Sequence, residues 1–407
     1  MSSLKLSGVN EYALGASSSM QNLYEITRNR KNVLESDFIV TESNVNDSYC
    51  LSDGEMSIKQ IVEIIDDYYY QLSLFGKKTV VILLPIYRWH DRVESLEEIS
   101  IVNDRHRYNA SLYGFYIVDF PSELTKHSDE DIKLLIPDVR HLNQALLHNL
   151  AISLVDYFDQ DFKHCSELIS NMPVNSGYKH VSSRDLFSLD SEECKSNSRF
   201  KEHCVTVDRS LVIDEKYKGF EIIGLGLWSD TESSFVISNG ECEVVKGSTA
   251  LNSFVELINP LVIHDDTVFK PNYEGKQVTE KTMNLRRGVY VNPARVTGVL
   301  VRKRGVSHTD ISGVERGCIN LNSLIPSLFP YIASAKSLID KGGYKKDSEL
   351  TPTIDYIRDL AISLEDKYLS ISYELMKKAA QLRPSGILIK NKLKKYAELS
   401  SSKISQE

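Results

Sequence analysis

The chain has 407 residues, of which 42% are hydrophobic and 26% charged, and its formal net charge is -8. A typical domain takes about 150 residues, so we expect two or three domains. The acidic balance argues against nucleic acid as a partner, since phosphate contacts need clustered Lys and Arg. No apolar run reaches the ~20 residues of a membrane-spanning helix, and the N-terminus lacks the apolar core of a secretory signal. We therefore expect a cytoplasmic protein with no transmembrane segment.

Residues 1–160 alternate between apolar strands and amphipathic helices. The run 78–84 is nearly continuously apolar, which is typical of a strand covered on both faces. The alternation predicts an α/β domain in which helices cover both faces of a parallel sheet. The predicted strands are residues 12–14, 37–41, 78–84 and 114–119, and the predicted helices are residues 20–30, 57–74, 105–113 and 142–158.

The remainder of the chain divides into three segments of different composition. Residues 161–208 are polar and weakly patterned, and we interpret them as a linker or an irregular excursion. Residues 209–320 contain short alternating runs separated by Gly, Asn and Asp, which predict a small antiparallel β domain compatible with a sandwich. Residues 321–407 form a predicted helical region, with helices at 354–381 and 387–399.

Three polar motifs follow predicted elements of the first domain. GAS at residues 15–17 ends the first predicted strand, and NVND at residues 44–47 ends the second. DVRH at residues 138–141 precedes the last helix of the domain. Ligands of parallel sheets bind at the carboxyl ends of the strands, so we expect all three motifs at one edge of the sheet.

These residue types suit acyl transfer through a serine. A hydroxyl nucleophile needs a neighbouring base, and that base needs an orienting carboxylate. Ser17, His141 and Asp138 supply these three groups, while the Ser17 N–H and the Asn46 amide can stabilise an oxyanion. Plain structural alternatives stay open at this point. Ser17 is also suited to a turn or a helix cap, and Ser18 or Ser19 can be the capping residue beside it. Residues 46–47 are suited to a turn, and His141 is suited to a helix cap.

The motifs resemble those of the SGNH, or GDSL-like, hydrolases over roughly residues 10–160. The resemblance implies a flavodoxin-like three-layer fold. It also implies Ser17 as nucleophile, Asn46 as oxyanion donor, His141 as base and Asp138 as its orienting carboxylate. Ala16 stands where the family has Asp, and Asn44 where it has Gly. No glycine between Gly15 and Gly54 can supply the family's additional oxyanion donor.

The resemblance implies an esterase or deacetylase that acts on an O-acylated substrate, for which the additional β domain favours a carbohydrate polymer. An O-acetyltransferase that modifies a sugar or surface polysaccharide, with a donor such as acetyl-CoA, is the first alternative. An inactive SGNH-fold binding module is the second. We expect Asp47, Tyr87, Arg88 and Trp89 to contact the substrate. The six scattered cysteines contain no CxxC pair, and we expect neither a metal nor a cofactor.

Overall fold

The computed structural model divides the chain into two compact units. The first comprises residues 1–122 and 157–323, and the second comprises residues 123–156 and 324–407. Within these units the structure describes residues 8–12, 14, 18–52, 56–86, 96–136, 141–161, 177–197, 200–248, 251–280, 285, 287–303, 317–340, 354, 357–358, 360–362, 365, 369–383 and 386–404.

Helices and strands alternate in the first part of the chain, strands dominate the middle, and helices return at the end. The helices are α1 (Ser19–Arg28), α2 (Arg30–Glu35), α3 (Asn44–Ser52), α4 (Ile58–Ser73), α5 (Leu96–Tyr113), α6 (Phe120–Leu124), α7 (Asp129–Leu135), α8 (Gln144–Asp161), α9 (Ser183–Leu186), α10 (Phe329–Asp340), α11 (Leu369–Leu382) and α12 (Ile387–Ile404). The strands are β1 (Phe38–Thr41), β2 (Lys78–Leu83), β3 (Tyr116–Asp119), β4 (Tyr178–Ser182), β5 (Glu193–Ser196), β6 (Lys201–Thr206), β7 (Leu211–Val212), β8 (Phe220–Ser229), β9 (Ser233–Ser238), β10 (Glu243–Ser248), β11 (Leu251–Val262), β12 (Val268–Pro271), β13 (Arg295–Lys303) and β14 (Ile319–Asn320).

A parallel sheet in the order β1-β2-β3-β14 forms the α/β part of the first unit. The predicted parallel sheet is therefore confirmed. β2 is mostly buried, as its apolar sequence predicts. The predicted helix at 57–74 is confirmed as α4, which begins with a capping box in which the Ser57 and Gln60 side chains each bond the other's backbone N–H.

The predicted first strand at 12–14 is wrong for the two residues that the structure describes there. Neither Tyr12 nor Leu14 belongs to a strand, and Ala13 lies outside the described residues. Tyr12 instead contacts helical residues. Its carbonyl accepts a hydrogen bond from Gln21 Nε2 at 3.3 Å, and its hydroxyl accepts a hydrogen bond from Asn32 Nδ2 at 2.8 Å. Three apolar residues give few ladder bonds, so these side-chain contacts decide the conformation.

Two antiparallel sheets follow in the same unit. One has the order β10-β9-β12-β7, and the other has the order β11-β8-β13-β6-β5, with β4 also paired to β13. Apolar residues of both sheets form one core, to which β8, β9, β12 and β13 contribute Leu225, Phe235, Phe269 and Val299. This arrangement confirms the predicted antiparallel β region.

The expectation of a linker at 161–208 is wrong for much of its second half, where β4, α9, β5 and β6 lie. β4 pairs with β13 from Gly298 to Arg302, and β6 pairs with β13 at Arg295 and Val296. Backbone pairing to β13 therefore recruits these strands. Their outward residues are polar, as in β5, where none of the four residues is buried, so the sequence carries little apolar alternation.

Helix α1 packs between the α/β part and the larger antiparallel sheet. It contacts α4 on one side and β4, β8 and β11 on the other. The buried Tyr24 ring lies 5.0 Å from the rings of both His180 and Phe254, measured between centroids. At its C-terminal end, Arg28 forms a two-pronged ion pair with Glu202 of β6. The central strands of this sheet, β8 and β13, are almost entirely buried.

The second unit is helical, as predicted for residues 321–407, and it also includes α7 and part of α8. Ile357, Met376, Ile389 and Tyr396 contribute to its core. Glu365 accepts hydrogen bonds from Lys392 Nζ at 2.7 Å and from the Tyr396 hydroxyl at 2.6 Å. Among the described residues, no helix is both long and apolar enough to cross a membrane.

We predict that Gly298→Ala destabilises the protein by about 1–3 kcal/mol, as overpacking of a core does. A Cβ at this position would lie 2.6 Å from His180 Nε2 and 2.8 Å from the Val181 carbonyl oxygen. Because a backbone atom cannot rotate away, the strands must separate. Urea unfolding measures the effect, with Gly8→Ala as the control, since its Cβ meets nothing within 4 Å. Equal midpoints for the two variants would contradict this packing of β13 on β4.

We predict that Glu25→Gln stabilises the protein at pH 8 and has little effect near pH 4.5. Burial raises the pKa of Glu25 to about 7, against the opposing effect of Arg28. The folded state therefore holds this proton more tightly than the unfolded state, and stability falls as the pH rises from 4.5 through about 7. At about 1.4 kcal/mol per pKa unit, the gain at pH 8 is of order 3 kcal/mol. A gain of equal size at both pH values, measured by urea unfolding, would contradict this assignment.

Candidate functional site

The segment after β1 begins a helix at the carboxyl edge of the parallel sheet. The fully buried Asn44 is the first residue of α3. Its amide nitrogen donates to the Leu84 carbonyl at 2.8 Å and to Asn103 Oδ1 at 2.8 Å, while its Oδ1 accepts the Leu84 N–H at 3.0 Å. The Asn44 side chain thus exchanges two hydrogen bonds with the backbone of Leu84, just after β2, as a residue of a neighbouring strand would. These bonds fix the start of α3.

Asp47, one turn into α3, binds the first residue of α1. Its Oδ1 accepts the Ser19 backbone N–H at 2.7 Å, and its Oδ2 accepts the Ser19 hydroxyl at 2.7 Å. The Ser43 hydroxyl lies 2.9 Å from Ser19 Oγ. The Asp47 side chain is only 1% exposed. A carboxylate at a helix N-terminus is favourable because it faces the positive end of the helix dipole.

His106 of α5 completes this group, which we call the Asp47 cluster (Ser19, Ser43, Asp47, Tyr69 and His106). Its Nε2 lies 3.1 Å from Asp47 Oδ2, and its Nδ1 lies 2.9 Å from the Tyr69 hydroxyl. Because an ionised carboxylate only accepts, the proton belongs on Nε2. In the neutral ring, Nδ1 then accepts the Tyr69 hydroxyl proton. The cluster therefore satisfies each of its buried polar groups.

Ser18 caps α1. Its side chain accepts the Gln21 N–H at 3.3 Å, and its carbonyl accepts the Asn22 N–H at 2.9 Å. Both Ser18 and Ser19 are buried, so the N-terminus of α1 begins inside the protein. The expectation that Ser18 or Ser19 caps the helix beside Ser17 is thereby confirmed for Ser18.

The Asp47 cluster is not a catalytic triad despite containing a serine, a histidine and an aspartate. Ser19 Oγ donates to the carboxylate rather than to the imidazole, so His106 does not contact the hydroxyl as a general base must. Beside the cluster, a shallow crevice is lined by residues that include Ser43, Tyr69 and His106, and it has no room for even a water-sized molecule. Ligand pockets usually measure about 300–1,000 Å³. The cluster is thus a structural support for the chain around residues 18–19.

Of the predicted site residues, Asn46, Asp47 and His141 lie among the described residues. Asn46 is half-buried in the first turn of α3, rather than in a loop after β1. His141 is exposed three residues before α8 and belongs to the second compact unit. Ser17, Asp138, Tyr87, Arg88 and Trp89 lie outside the described residues.

Asp47 differs from its predicted role as a substrate contact. Both of its carboxylate oxygens accept hydrogen bonds from buried neighbours, and the side chain has no open face. The sequence pattern placed Asp47 at the correct edge of the sheet. The helical turn of α3 directs its carboxylate toward α1, which a strand followed by a loop would not do.

Sequence reasoning missed Ser19, His106 and Tyr69. A signal for His106 exists, because Asn103, His106 and Asn109 follow one another at intervals of three and are all buried on α5. Such a polar stripe on one face of a helix predicts a buried hydrogen-bond network rather than an apolar seam. Within the part of the chain that the structure describes, no group of three or more His, Cys, Asp and Glu side chains is arranged to hold a metal ion.

No family model matches the chain, and no curated protein matches it. A functional proposal therefore rests on the motifs of the sequence and on the contacts of the described residues.

We predict that Asp47→Ala destabilises the protein by about 3 kcal/mol or more. It leaves the buried Ser19 N–H and His106 Nε2–H without an acceptor, and each such group costs about 1–3 kcal/mol. Asp104→Ala is the matched control, because that side chain is 65% exposed and pairs with Arg107 at the surface of α5. Surface pairs contribute about 0–1 kcal/mol. Urea unfolding that gives similar free energies for both variants would contradict the supporting role of Asp47.

Proposed function

We propose that the protein is a serine-dependent acyl-ester hydrolase, an SGNH-type esterase or deacetylase that acts in the cytoplasm on an O-acylated carbohydrate. Ser17 is the nucleophile, His141 the general base and Asp138 the carboxylate that orients it. The backbone N–H of Ser17 and the Asn46 amide form the oxyanion hole. Tyr87, Arg88 and Trp89 bind the sugar.

The contact between Ser19 and Asp47 carries this proposal. It joins the residues just after the GAS motif to the NVND motif, at the carboxyl edge of a parallel sheet. The chain that follows the first motif thus contacts the second motif at the edge where ligands of such sheets bind, which supports the proposal. Asn46 is the residue beside Asp47, so its backbone is held in the same turn of α3.

The serine run supports Ser17 by elimination. Ser18 is engaged as the cap of α1, and Ser19 donates its hydroxyl proton to Asp47. Neither hydroxyl is suited to attack a carbonyl, because each is buried and engaged in a structural contact. Ser17 is the remaining serine of the run and directly precedes the N-cap of a helix, where the helix dipole favours a developing negative charge.

The proposed reaction has two halves. His141 removes the Ser17 hydroxyl proton while Oγ attacks the ester carbonyl, and the tetrahedral oxyanion accepts hydrogen bonds from the Ser17 N–H and Asn46. The ester bond to the sugar oxygen breaks, and His141 returns the proton to that oxygen. Water, deprotonated by His141, then attacks the acyl-enzyme, releases the carboxylic acid and restores Ser17.

The first half is common to hydrolysis and to acyl transfer. A sugar hydroxyl in place of water would make the protein an O-acetyltransferase, with acetyl-CoA as one suitable donor. A folded chain that binds glycan without reacting would be the binding module instead. The acceptor therefore decides between the two activities, and reactivity of Ser17 decides between enzyme and binding module.

We predict that a fluorophosphonate probe labels the wild-type protein and that Ser17→Ala abolishes the labelling, because the probe reacts with an activated serine. Ser57→Ala is the matched control, since Ser57 is also a serine at a helix N-terminus but caps α4. The Ser57→Ala variant should be labelled at the wild-type rate. Labelling that persists in Ser17→Ala, or its absence from folded wild-type protein, would contradict the proposal.

We predict that His141→Ala lowers turnover of p-nitrophenyl acetate by about 10²-fold or more, the usual contribution of a general base. Asp138→Ala should also lower the turnover of p-nitrophenyl acetate. Sugar acceptors added to the assay separate the alternatives, because an acylated sugar appears only with a transferase. Turnover unchanged in both variants would remove His141 and Asp138 from the mechanism.

A further inference from the structure

A carboxylate of the antiparallel sheet contacts the residue that follows Ser17. The Ser18 hydroxyl donates to Glu256 Oε1, although Glu256 lies 238 residues further along the chain, on β11. The Cys50 thiol of α3 approaches the same oxygen at 3.8 Å. One carboxylate oxygen therefore connects β11 to the start of α1 and to α3.

Charged groups surround this contact in the interior of the first unit. Lys246 of β10 is 1% exposed, and its Nζ lies 3.5 Å from Glu280 Oε2. Burial raises the pKa of Glu256, and the charge of Asp47 adds to this effect, while Lys246 opposes it. Burial lowers the pKa of Lys246, while Glu280 and Glu256 oppose that shift. Ser18, Cys50, Asp47 and Lys246 are thus the groups of α1, α3 and β10 that act on Glu256.

The backbone beside Glu256 is also held in place. The register of β11 against β8 shifts between Glu256 and Leu261. At this irregularity Glu280 accepts the N–H groups of Ile258 and Asn259, both at 2.9 Å. Lys246 therefore neutralises a carboxylate that fixes the strand, and the strand presents Glu256 to Ser18 in a defined position.

We propose that Glu256 is a positioning residue for the serine nucleophile, acting through the Ser18 hydroxyl. This inference rests on the proposed function of Ser17. Consecutive Cα atoms are about 3.8 Å apart and joined by a planar peptide, so a restraint on Ser18 also restrains the carbonyl of Ser17. The antiparallel β region then helps to position the nucleophile, in addition to any role in binding the substrate.

The Ser18 cap has one property that an ordinary cap lacks. Its hydroxyl oxygen accepts the Gln21 N–H, while its proton goes to Glu256, so both hydrogen-bonding functions are engaged. The N-cap bond can form with any orientation of the hydroxyl proton. Glu256 selects one orientation of the hydroxyl proton and holds the Ser18 side chain in one rotamer.

The test measures the rate of fluorophosphonate labelling, and kcat and KM for p-nitrophenyl acetate, in Glu256→Ala and Glu256→Gln. Glu256→Ala is expected to lower the labelling rate and kcat by at least tenfold with KM unchanged, because a misplaced nucleophile slows the reaction rather than binding. Glu256→Gln keeps an acceptor oxygen and should recover the rate to within about threefold of the wild type. A purely structural role predicts no such split between kcat and KM.

Glu221→Ala is the matched control, because Glu221 is a buried carboxylate of β8 that pairs with Arg302 at 2.8 Å. It should retain the wild-type labelling rate. Ser18→Ala provides a second route if Glu256→Ala fails to fold, and it should slow labelling by a similar factor. In the double variant the loss should be no larger than in Ser18→Ala alone, since the contact between Ser18 and Glu256 is already absent there.

The outcomes separate the inference from the function on which it rests. Labelling of Ser17 that proceeds at the wild-type rate in Glu256→Ala or in Ser18→Ala overturns the role of Glu256 and leaves the hydrolase proposal standing. Loss of rate in Glu221→Ala equal to that in Glu256→Ala also overturns it, because the effect would then be general destabilisation. Absence of labelling in wild-type protein overturns the proposed function, and the inference with it.

Discussion

The structure of the first unit depends on helix α1, whose N-terminus lies in the protein interior. The first N–H groups of a helix have no partner within it, and leaving them unpaired away from water is costly. Asp47 accepts the Ser19 N–H, and Ser18 accepts the Gln21 N–H. Because α1 also contacts α4, β4, β8 and β11, the helix connects the parallel sheet to the antiparallel one. The carboxylate of Asp47 is therefore central to the packing of both.

Two carboxylates, one at the edge of the parallel sheet and one in the antiparallel sheet, bind consecutive serines at the start of α1. Asp47 follows a strand of the parallel sheet and binds Ser19, whereas Glu256 belongs to the antiparallel sheet and binds Ser18. In the proposed mechanism, this leaves Ser17 for chemistry while Ser18 and Ser19 are held by the two carboxylates. The contacts account for Ser18 and Ser19 in physical terms. Both satisfy buried polar groups, and Ser17 is the candidate nucleophile.

Strong local patterns predicted the elements that they govern. The apolar run of β2 and the amphipathic pattern of α4 appear as predicted, because burial on both faces of a strand leaves a continuous apolar run and burial of one helix face leaves a helical period. The strand predicted at 12–14 is wrong at Tyr12 and Leu14. The hydrogen bonds of Tyr12 with α1 and α2 outweigh the few strand-pairing bonds that so short a segment can make. The Asp47 cluster was only partly predictable. The motif placed Asp47 at the sheet edge, but its partners His106 and Ser19 lie 59 and 28 residues away in sequence, and pairings over such distances leave no local period.

Hydrogen exchange of individual backbone amides tests the central claim most directly. If Asp47 holds the N-terminus of α1 in the interior, the Ser19 amide should exchange only when the first unit unfolds, as slowly as the amides of β2. Ordinary helix ends fray and exchange quickly, so slow exchange at a first helical residue is a distinctive result. A Ser19 amide that exchanges at the rate of an exposed chain would contradict the account, because α1 would then begin in solvent and neither sheet would position the serine run.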